Sequence, residues 1–424
     1  SMKKYLWLII IVLAVVVGLV IWKVSSGSAK SELEIFSWWT GGGEEEGLKA
    51  LFTKFNEKYP KVDIINAAVA GGAGTNAKAV LKTRMLGGNP PDSFQVHAGM
   101  ELTDSHVKAD AMEPLTQKLK DWGVYDKFPA GVLDICSYNG EVYSIPVNVH
   151  RGNVVFYNKE VASELGIVSA PASFEEFLGM LKLASEKGYA ALAIGDMNKW
   201  EAAHLFENIM IAKFGPENYN KLFKNEVSFA DPAMAESFNA LAMLIDYFNT
   251  DHSALTWQDA VKMVQEKKAF ATVMGDWAEG YLKTLGMTPN EGFGWFAVPG
   301  TESAFTLISD TFGLPKKAKN RENALKWLEF ISSVEAQDIF NPIKGSIPAR
   351  TDADKSKYDT YLQWSMNDFS ALTICPSIAH GSAAPEAFST KLQDIVNKFI
   401  AERNTENAVN EMIALAKETG YKAD

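Results

Sequence analysis

Hydrophobic and polar positions along this chain fall into blocks of two periods. Residues 5–22 form an unbroken apolar run of eighteen residues behind Lys3 and Lys4. Residues 33–39 then alternate as a half-buried strand does. From Glu45 the period changes. Leu48, Leu51, Phe52, Phe55 and Tyr59 recur at i, i+3, i+4, i+7 and i+11, which is one face of a helix. Glu44, Glu45 and Glu46 stand in its first turn, where acids suit the helix dipole, and Pro60 ends it. Strand-like patterns return over 62–69 and 93–97. Between them a glycine turn at 71–74 leads into a helix to Leu86, stopped by Gly87-Gly88-Asn89-Pro90-Pro91. Strand, helix, strand, helix, strand predicts a mostly parallel sheet with helices on both faces.

Residues 141–149 read as a strand running toward a change of lobe, and a second alternating region opens at Val154. Ser173 is placed to cap a helix over 174–187, with Glu176 completing a capping box. Strands follow at 190–194, 269–274, 293–299 and 305–312, separated by helical stretches that include 257–267. The C-terminal third is mainly helical, with breaks at Asn341-Pro342 and Gly345. There is no internal repeat, no low-complexity tract and no flexible linker. Two lobes without a linker imply several crossings between them.

The 424 residues, 47% hydrophobic and 22% charged, suffice for two or more cores and exclude a disordered chain. A formal charge of -11 makes nucleic acid a poor partner. The N-terminal apolar run reads as a signal peptide or a membrane anchor. Its length just spans a bilayer, while Gly27-Ser28-Ala29 offers small residues for cleavage. No cysteine follows it, so no lipid-modified cysteine anchors the chain there. Both readings put the body outside the cytoplasmic membrane. Cys136 and Cys375, the only cysteines, each sit in an apolar run and read as buried thiols; spacing alone does not decide whether they pair.

Candidate chemistry begins at Trp38-Trp39, at a strand end, followed by Gly41-Gly42-Gly43 and the acidic turn. Indole stacks on the apolar face of a pyranose, and carboxylates, amides, Lys and His hold its hydroxyl rim. Polar residues of that kind recur at strand ends: Gln95 and His97, Asp276 before Trp277, Asp310, and Lys344. Gly72-Ala73-Gly74-Thr75-Asn76-Ala77 matches a dinucleotide-loop pattern, but it follows the second strand, so a tight glycine turn is the plainer reading. G-x-S-x-G, H-E-x-x-H and C-x-x-C are missing, and the six histidines show no close ligand pair, so neither a catalytic motif nor a metal site is expected. Asn148-Val149-His150-Arg151 reads as a hinge that could also touch a ligand.

Phe36-Ser-Trp-Trp-Thr-Gly-Gly, Gln95-Val-His-Ala-Gly-Met-Glu, Val147-Asn-Val-His-Arg, Met274-Gly-Asp-Trp-Ala, Ser309-Asp-Thr-Phe-Gly-Leu-Pro and Lys344-Gly-Ser-Ile-Pro-Ala-Arg together resemble the extracellular solute-binding proteins of ABC sugar importers, nearest to glucose/galactose binders. The resemblance spans residues 33–424. It implies a two-lobed periplasmic-binding-protein fold, type II-like, with lobe 1 at 31–147 and 309–352 and lobe 2 at 148–308 and 353–424. It implies a monosaccharide ligand, permease subunits as partners, a monomer, no cofactor, and delivery by hinge closure rather than catalysis. Trp257 and Trp277 would sandwich the sugar ring, with contacts from Trp39, Glu44, Gln95, His97, Asp310, Lys344 and His380. Trp38, Glu45, Asn148, His150 and Asp276 are further candidates, Trp38 being expected to turn into the core because strand neighbours face opposite ways. The acidic turn departs from the family pattern, which leaves open which glutamate serves. A disaccharide, a non-sugar solute, or an exported carbohydrate-active enzyme are the alternatives.

Overall fold

A computed structural model describes residues 2–25 and 31–424. Met2–Ser25 is a helix, and Tyr5, Leu6, Trp7 and residues 9–17 on it are exposed. Its described side chains belong to none of the hydrophobic cores. Among the described residues no helix is long and apolar enough to cross a membrane; the side chains described in this helix reach only from residue 5 to residue 17. The expected cleavage residues Gly27-Ser28-Ala29 lie outside the described residues.

Two larger sheets organise the body. The first runs Val62–Ala68, Ser31–Ser37, Ser93–His97, Asp310–Gly313, Ser144–Pro146. Its first three strands pair in parallel, as the alternating strand and helix pattern requires. The last two pair antiparallel. The second sheet runs Phe293–Ala297, Val154–Asn158, Ala269–Met274, Ala190–Ala193, and only its last pair is parallel. The two-lobed α/β architecture is present, but the expected mostly parallel pairing is corrected to a mixed one. A parallel neighbour needs a crossover helix, whereas a strand arriving from the other sheet is free to run either way.

The stretch read as one strand over 305–312 divides at Ser309. Ala304–Ile308 lies in a small third sheet between Thr373–Pro376 and His150–Arg151, while Asp310–Gly313 belongs to the first sheet. The stretch 141–149 divides likewise, so 144–151 and 304–313 pass side by side from one sheet toward the other. Ser309 Oγ donates to the Asn148 carbonyl at 2.7 Å, and Val149 exchanges backbone bonds with Ile347 at 2.9 and 3.0 Å.

Helix Gly42–Lys58 buries Leu48, Leu51 and Phe55 against the first sheet's core, as its period predicts. Burial of such a side chain contributes about 1.5–3 kcal/mol. Ser173 caps helix Phe174–Glu186 by accepting from Glu176 N at 3.1 Å. The Glu176 carboxylate returns to Ala172 N at 2.7 Å, one residue earlier than a capping box would have it. The two largest hydrophobic clusters follow the two larger sheets. Trp200, Trp257 and Trp277 cross this division. They start helices Trp200–Phe214, Trp257–Gln265 and Trp277–Thr284, which flank or follow the second sheet, yet their indoles join the first sheet's cluster. Cys136 and Cys375 are free, buried in separate clusters, and each thiol is pushed up to about 12 by burial.

Candidate functional site

The segments that pass between the sheets bring a set of aromatic and charged side chains to one place. The strand Ser31–Ser37 stops before Trp38, so its alternation does not govern the tryptophan pair. Both indoles line a central cavity and are also packed in the first sheet's hydrophobic core, where Trp38 was expected. Trp38 packs on His97, with ring centres 4.9 Å apart. Trp39 packs on Phe312 and Phe340 at 5.7 and 5.0 Å. Trp257 and Trp277 line the same cavity. Trp277 meets His150, His204 and His380 edge-on at 5.1, 5.5 and 5.1 Å, and Trp257 meets Tyr281 at 5.8 Å.

Three helix ends position the charges. Helix Gly42–Lys58 supplies Glu44, helix Val334–Lys344 supplies Lys344 at its last residue, and helix Trp277–Thr284 begins with its indole. The ends come together at glycines. A Cβ on Gly280 would lie 2.4 Å from the Lys344 carbonyl oxygen, and one on Gly43 would lie 2.6 Å from that of Ile343. Lys344 Nζ donates to Glu44 Oε1 at 3.1 Å and to His150 Nε2 at 3.0 Å. An ammonium only donates, so His150 Nε2 accepts and the ring proton sits on Nδ1, where it is donated to Asp276. Burial pushes the Glu44 carboxyl up, against the pull of Lys344.

Asp310 is the acceptor at the centre. Gln95 Nε2 and Asn148 Nδ2 donate to its two oxygens, each at 2.9 Å, and its own N–H donates to Asn148 Oδ1 at 2.8 Å. Burial would raise it, but the charges around it, Lys344 foremost, hold it well below the usual carboxylate range. His97 Nδ1 lies 2.7 Å from Glu101 Oε2, which Lys78 also approaches at 3.2 Å. Against burial, these two neighbours hold Glu101 at about 2.

On the opposite wall, His204 Nε2 donates to the Gly152 carbonyl at 2.7 Å, so its Nδ1 must accept from His380 Nε2 at 2.8 Å. Burial keeps both rings neutral: His204 falls to about 4 and His380 well below its ordinary value. The loop bearing His380 is pinned by Glu207, whose carboxylate accepts from Ser377 Oγ, Ile378 N and Ala379 N at 2.7, 2.7 and 2.8 Å. His204, Glu207 and His380 come close enough together to suggest a metal ligand set. Their acceptor positions are largely engaged by these bonds, which disfavours that use.

Of the residues expected from sequence, Trp38, Trp39, Glu44, His97, His150, Trp257, Trp277, Asp310, Lys344 and His380 line the cavity. Gln95, Asn148 and Asp276 stand one step behind it, holding Asp310 and His150 in place. Glu45 is corrected: it faces outward and pairs with Lys49 at 2.6 Å on the surface. Glu44 shares the buried face of its helix with Leu48, Leu51 and Phe55, so the helical phase separates the two glutamates. Ala73, Trp200 and Ile308 also line the cavity without having been expected. Trp200 Nε1 and Trp39 Nε1 are buried and without a hydrogen-bond partner, two donors placed at the cavity wall.

The free space among these side chains is about 20 Å³. That is room for one water and far less than a small-molecule site of a few hundred Å³. A ligand enters only if the walls part. A roomier cavity of about 550 Å³ adjoins it behind Trp38 and Gln95; no other indole lines that cavity, and its wall mixes Phe36, Leu81 and Val96 with Lys78, Glu101, Asp104 and His106. Five indoles converge on the smaller one.

Residues 41–338 match the family model of bacterial extracellular solute-binding proteins. An ABC transporter extracellular-binding protein of Pyrococcus horikoshii is 38% identical, over 98% of this chain and 96% of its own length. A protein of Mesorhizobium japonicum named "probable sugar-binding periplasmic protein" is 32% identical, over 90% of this chain and 92% of its own. Among solved structures, a bacterial solute receptor described as preferring β-D-galactopyranose superposes with a TM-score of 0.80 at 20% identity, covering 92% of this chain and 98% of its own. At that identity the likeness speaks for the fold.

Proposed function

The chain belongs to the bacterial extracellular solute-binding protein family, and on that premise we propose that it captures a monosaccharide of the glucose or galactose type and passes it to an ABC permease. The family is one of binding proteins, so the activity is capture and release rather than turnover. The observation that carries the sugar reading is the meeting, in one cavity, of five indoles with a buried lysine, two carboxylates and three imidazoles. Indoles suit the apolar face of a pyranose. Asp310, Glu44 and the lining histidines suit its hydroxyl rim, at about 1.5–3 kcal/mol for each hydrogen bond to a charged partner. Trp39 Nε1 and Trp200 Nε1 add two unpaired donors. A micromolar Kd needs about -8 kcal/mol, which a few such bonds and a stacked ring can supply.

Lobe 1 (31–147 and 309–352) and lobe 2 (148–308 and 353–424) close on the sugar ring by bending where 144–151, 304–313 and the segment around Ile347 run together. Ligand shifts the population toward the closed form by touching both walls at once. The protein acts as a monomer, and its N-terminal helix serves as export signal or as anchor.

The test is a tryptophan-fluorescence titration with hexoses, pentoses and disaccharides. We expect a saturable response to glucose or galactose. Trp257→Ala and Trp277→Ala should each weaken binding at least tenfold with the far-ultraviolet circular dichroism unchanged. Wild-type affinity in both variants would remove the indole clamp. A response to xylose or arabinose alone would move the ligand to a pentose.

A further inference from the structure

The glycine turn at 71–74, which matched a nucleotide-loop pattern in the sequence, lies against the indoles of the cavity. A Cβ on Gly72 would come within 2.9 Å of Trp200 Nε1 and 3.0 Å of Trp257 Cδ1, and one on Gly74 would come within 2.9 Å of Trp38. The turn follows a strand of the first sheet, whereas Trp200 and Trp257 start helices flanking the second. Its own hydrogen bonds are internal: Gly74 N to the Gly71 carbonyl at 3.2 Å, Thr75 N to that of Gly72 at 3.1 Å, and Asn76 Nδ2 to that of Ala70 at 2.8 Å. The turn therefore holds its shape by itself and meets these indoles by close packing.

Between the two glycines sits Ala73, with φ of +53°. A side chain in the left-handed region is uncommon and calls for a reason. Ala73 lines the central cavity and also a second one of about 130 Å³, whose walls include Thr75, Lys78, Glu101, Gly381, Glu386 and Gln393. The alanine is part of the partition between them. Beside it, Trp200 Nε1 is buried and unpartnered, a donor at the same corner of the cavity.

We infer that this turn sets the length of ligand the protein accepts: Gly72 lets the indoles of Trp200 and Trp257 close onto it, and the Ala73 methyl stops a sugar chain from extending out of the central cavity into the polar cavity beyond. The inference rests on the sugar-binding reading and goes past it, from the kind of ligand to its size.

Two single variants of the full chain test it, titrated with glucose, galactose, maltose, cellobiose and lactose. Ala73→Gly suits the positive φ, so the fold is retained. It should raise the disaccharide-to-hexose affinity ratio at least tenfold. Gly72→Ala should weaken hexose binding at least tenfold, because its Cβ meets two indoles. An unchanged disaccharide-to-hexose ratio in Ala73→Gly, with hexose still bound, overturns this inference alone. Wild-type hexose affinity in Gly72→Ala does the same. Wild-type protein that binds no sugar overturns the sugar-binding reading and takes this inference with it.

Discussion

Lys344 holds the buried charges of the site together. It is nearly inaccessible, and its three donors face Glu44, His150 and the rings of Trp39 and Trp277, with its Nζ 5.6 and 5.9 Å from those ring centres. Removing one partner of a buried pair leaves the other charge in a poor solvent, at a cost of about 3–5 kcal/mol. Lys344→Met should therefore lower stability to urea by about that much and abolish measurable sugar binding. The double variant Lys344→Met/Glu44→Gln should recover part of the stability but none of the binding. Equal stability of the single variant and the wild type would show that the pair is not buried as described. Glu201 gives a second prediction. Both its carboxylate oxygens are buried without a partner, and burial pushes it up to about 9 from the ordinary 4.5. The folded chain thus holds that proton more tightly than the unfolded chain. Its contribution to stability is complete below about pH 4.5 and is lost as pH rises toward 9, at about 1.4 kcal/mol per pH unit where the slope is steepest. Glu201→Gln cannot ionise, so its stability relative to wild type should improve between pH 5 and pH 8. Parallel pH profiles for the two proteins would contradict the assignment.

Among the elements, the helices converging on the site are packed backbone to backbone. Gly280 lets helix Trp277–Thr284 reach the C-terminal end of helix Val334–Lys344, and any Cβ there would meet carbonyl oxygens at 2.4 and 2.8 Å. Gly280→Ala should push Trp277 and Lys344 apart, weakening sugar affinity at least tenfold while costing about 1–3 kcal/mol of stability. Affinity equal to wild type would mean that this contact does not shape the site. Such contacts mark the boundary of what the sequence discloses. Strands Ser93–His97 and Ala269–Met274 were legible to the residue, because turn residues bound an alternating segment in the first case and a mostly apolar run in the second. The break at Ser309 was not, because the run over 305–312 stays strand-like on both sides and only the position of the two sheets divides it. Trp200 escaped notice because a tryptophan in a helix buried almost throughout reads as core. The choice between Glu44 and Glu45 was in principle legible, since the phase set by Leu48, Leu51 and Phe55 carries back to residue 44.

For the whole molecule, the sequence motifs indicated two lobes and ten of the residues that line the cavity, but not the mixed strand directions or how tightly the cavity closes. Directions depend on which segments return from the other lobe, and closure depends on contacts between residues far apart in sequence. Trp200, Trp257 and Trp277 reach from helices flanking or following the second sheet into the core of the first. With only about 20 Å³ free between them, we propose that binding and lobe movement are one event. The most direct test of that account is isothermal titration of the full chain with D-glucose and D-galactose. The account predicts saturable heat at one site per chain, with a Kd in the micromolar range or tighter for at least one hexose and none of comparable strength for disaccharides. Flat titrations with every monosaccharide would contradict it.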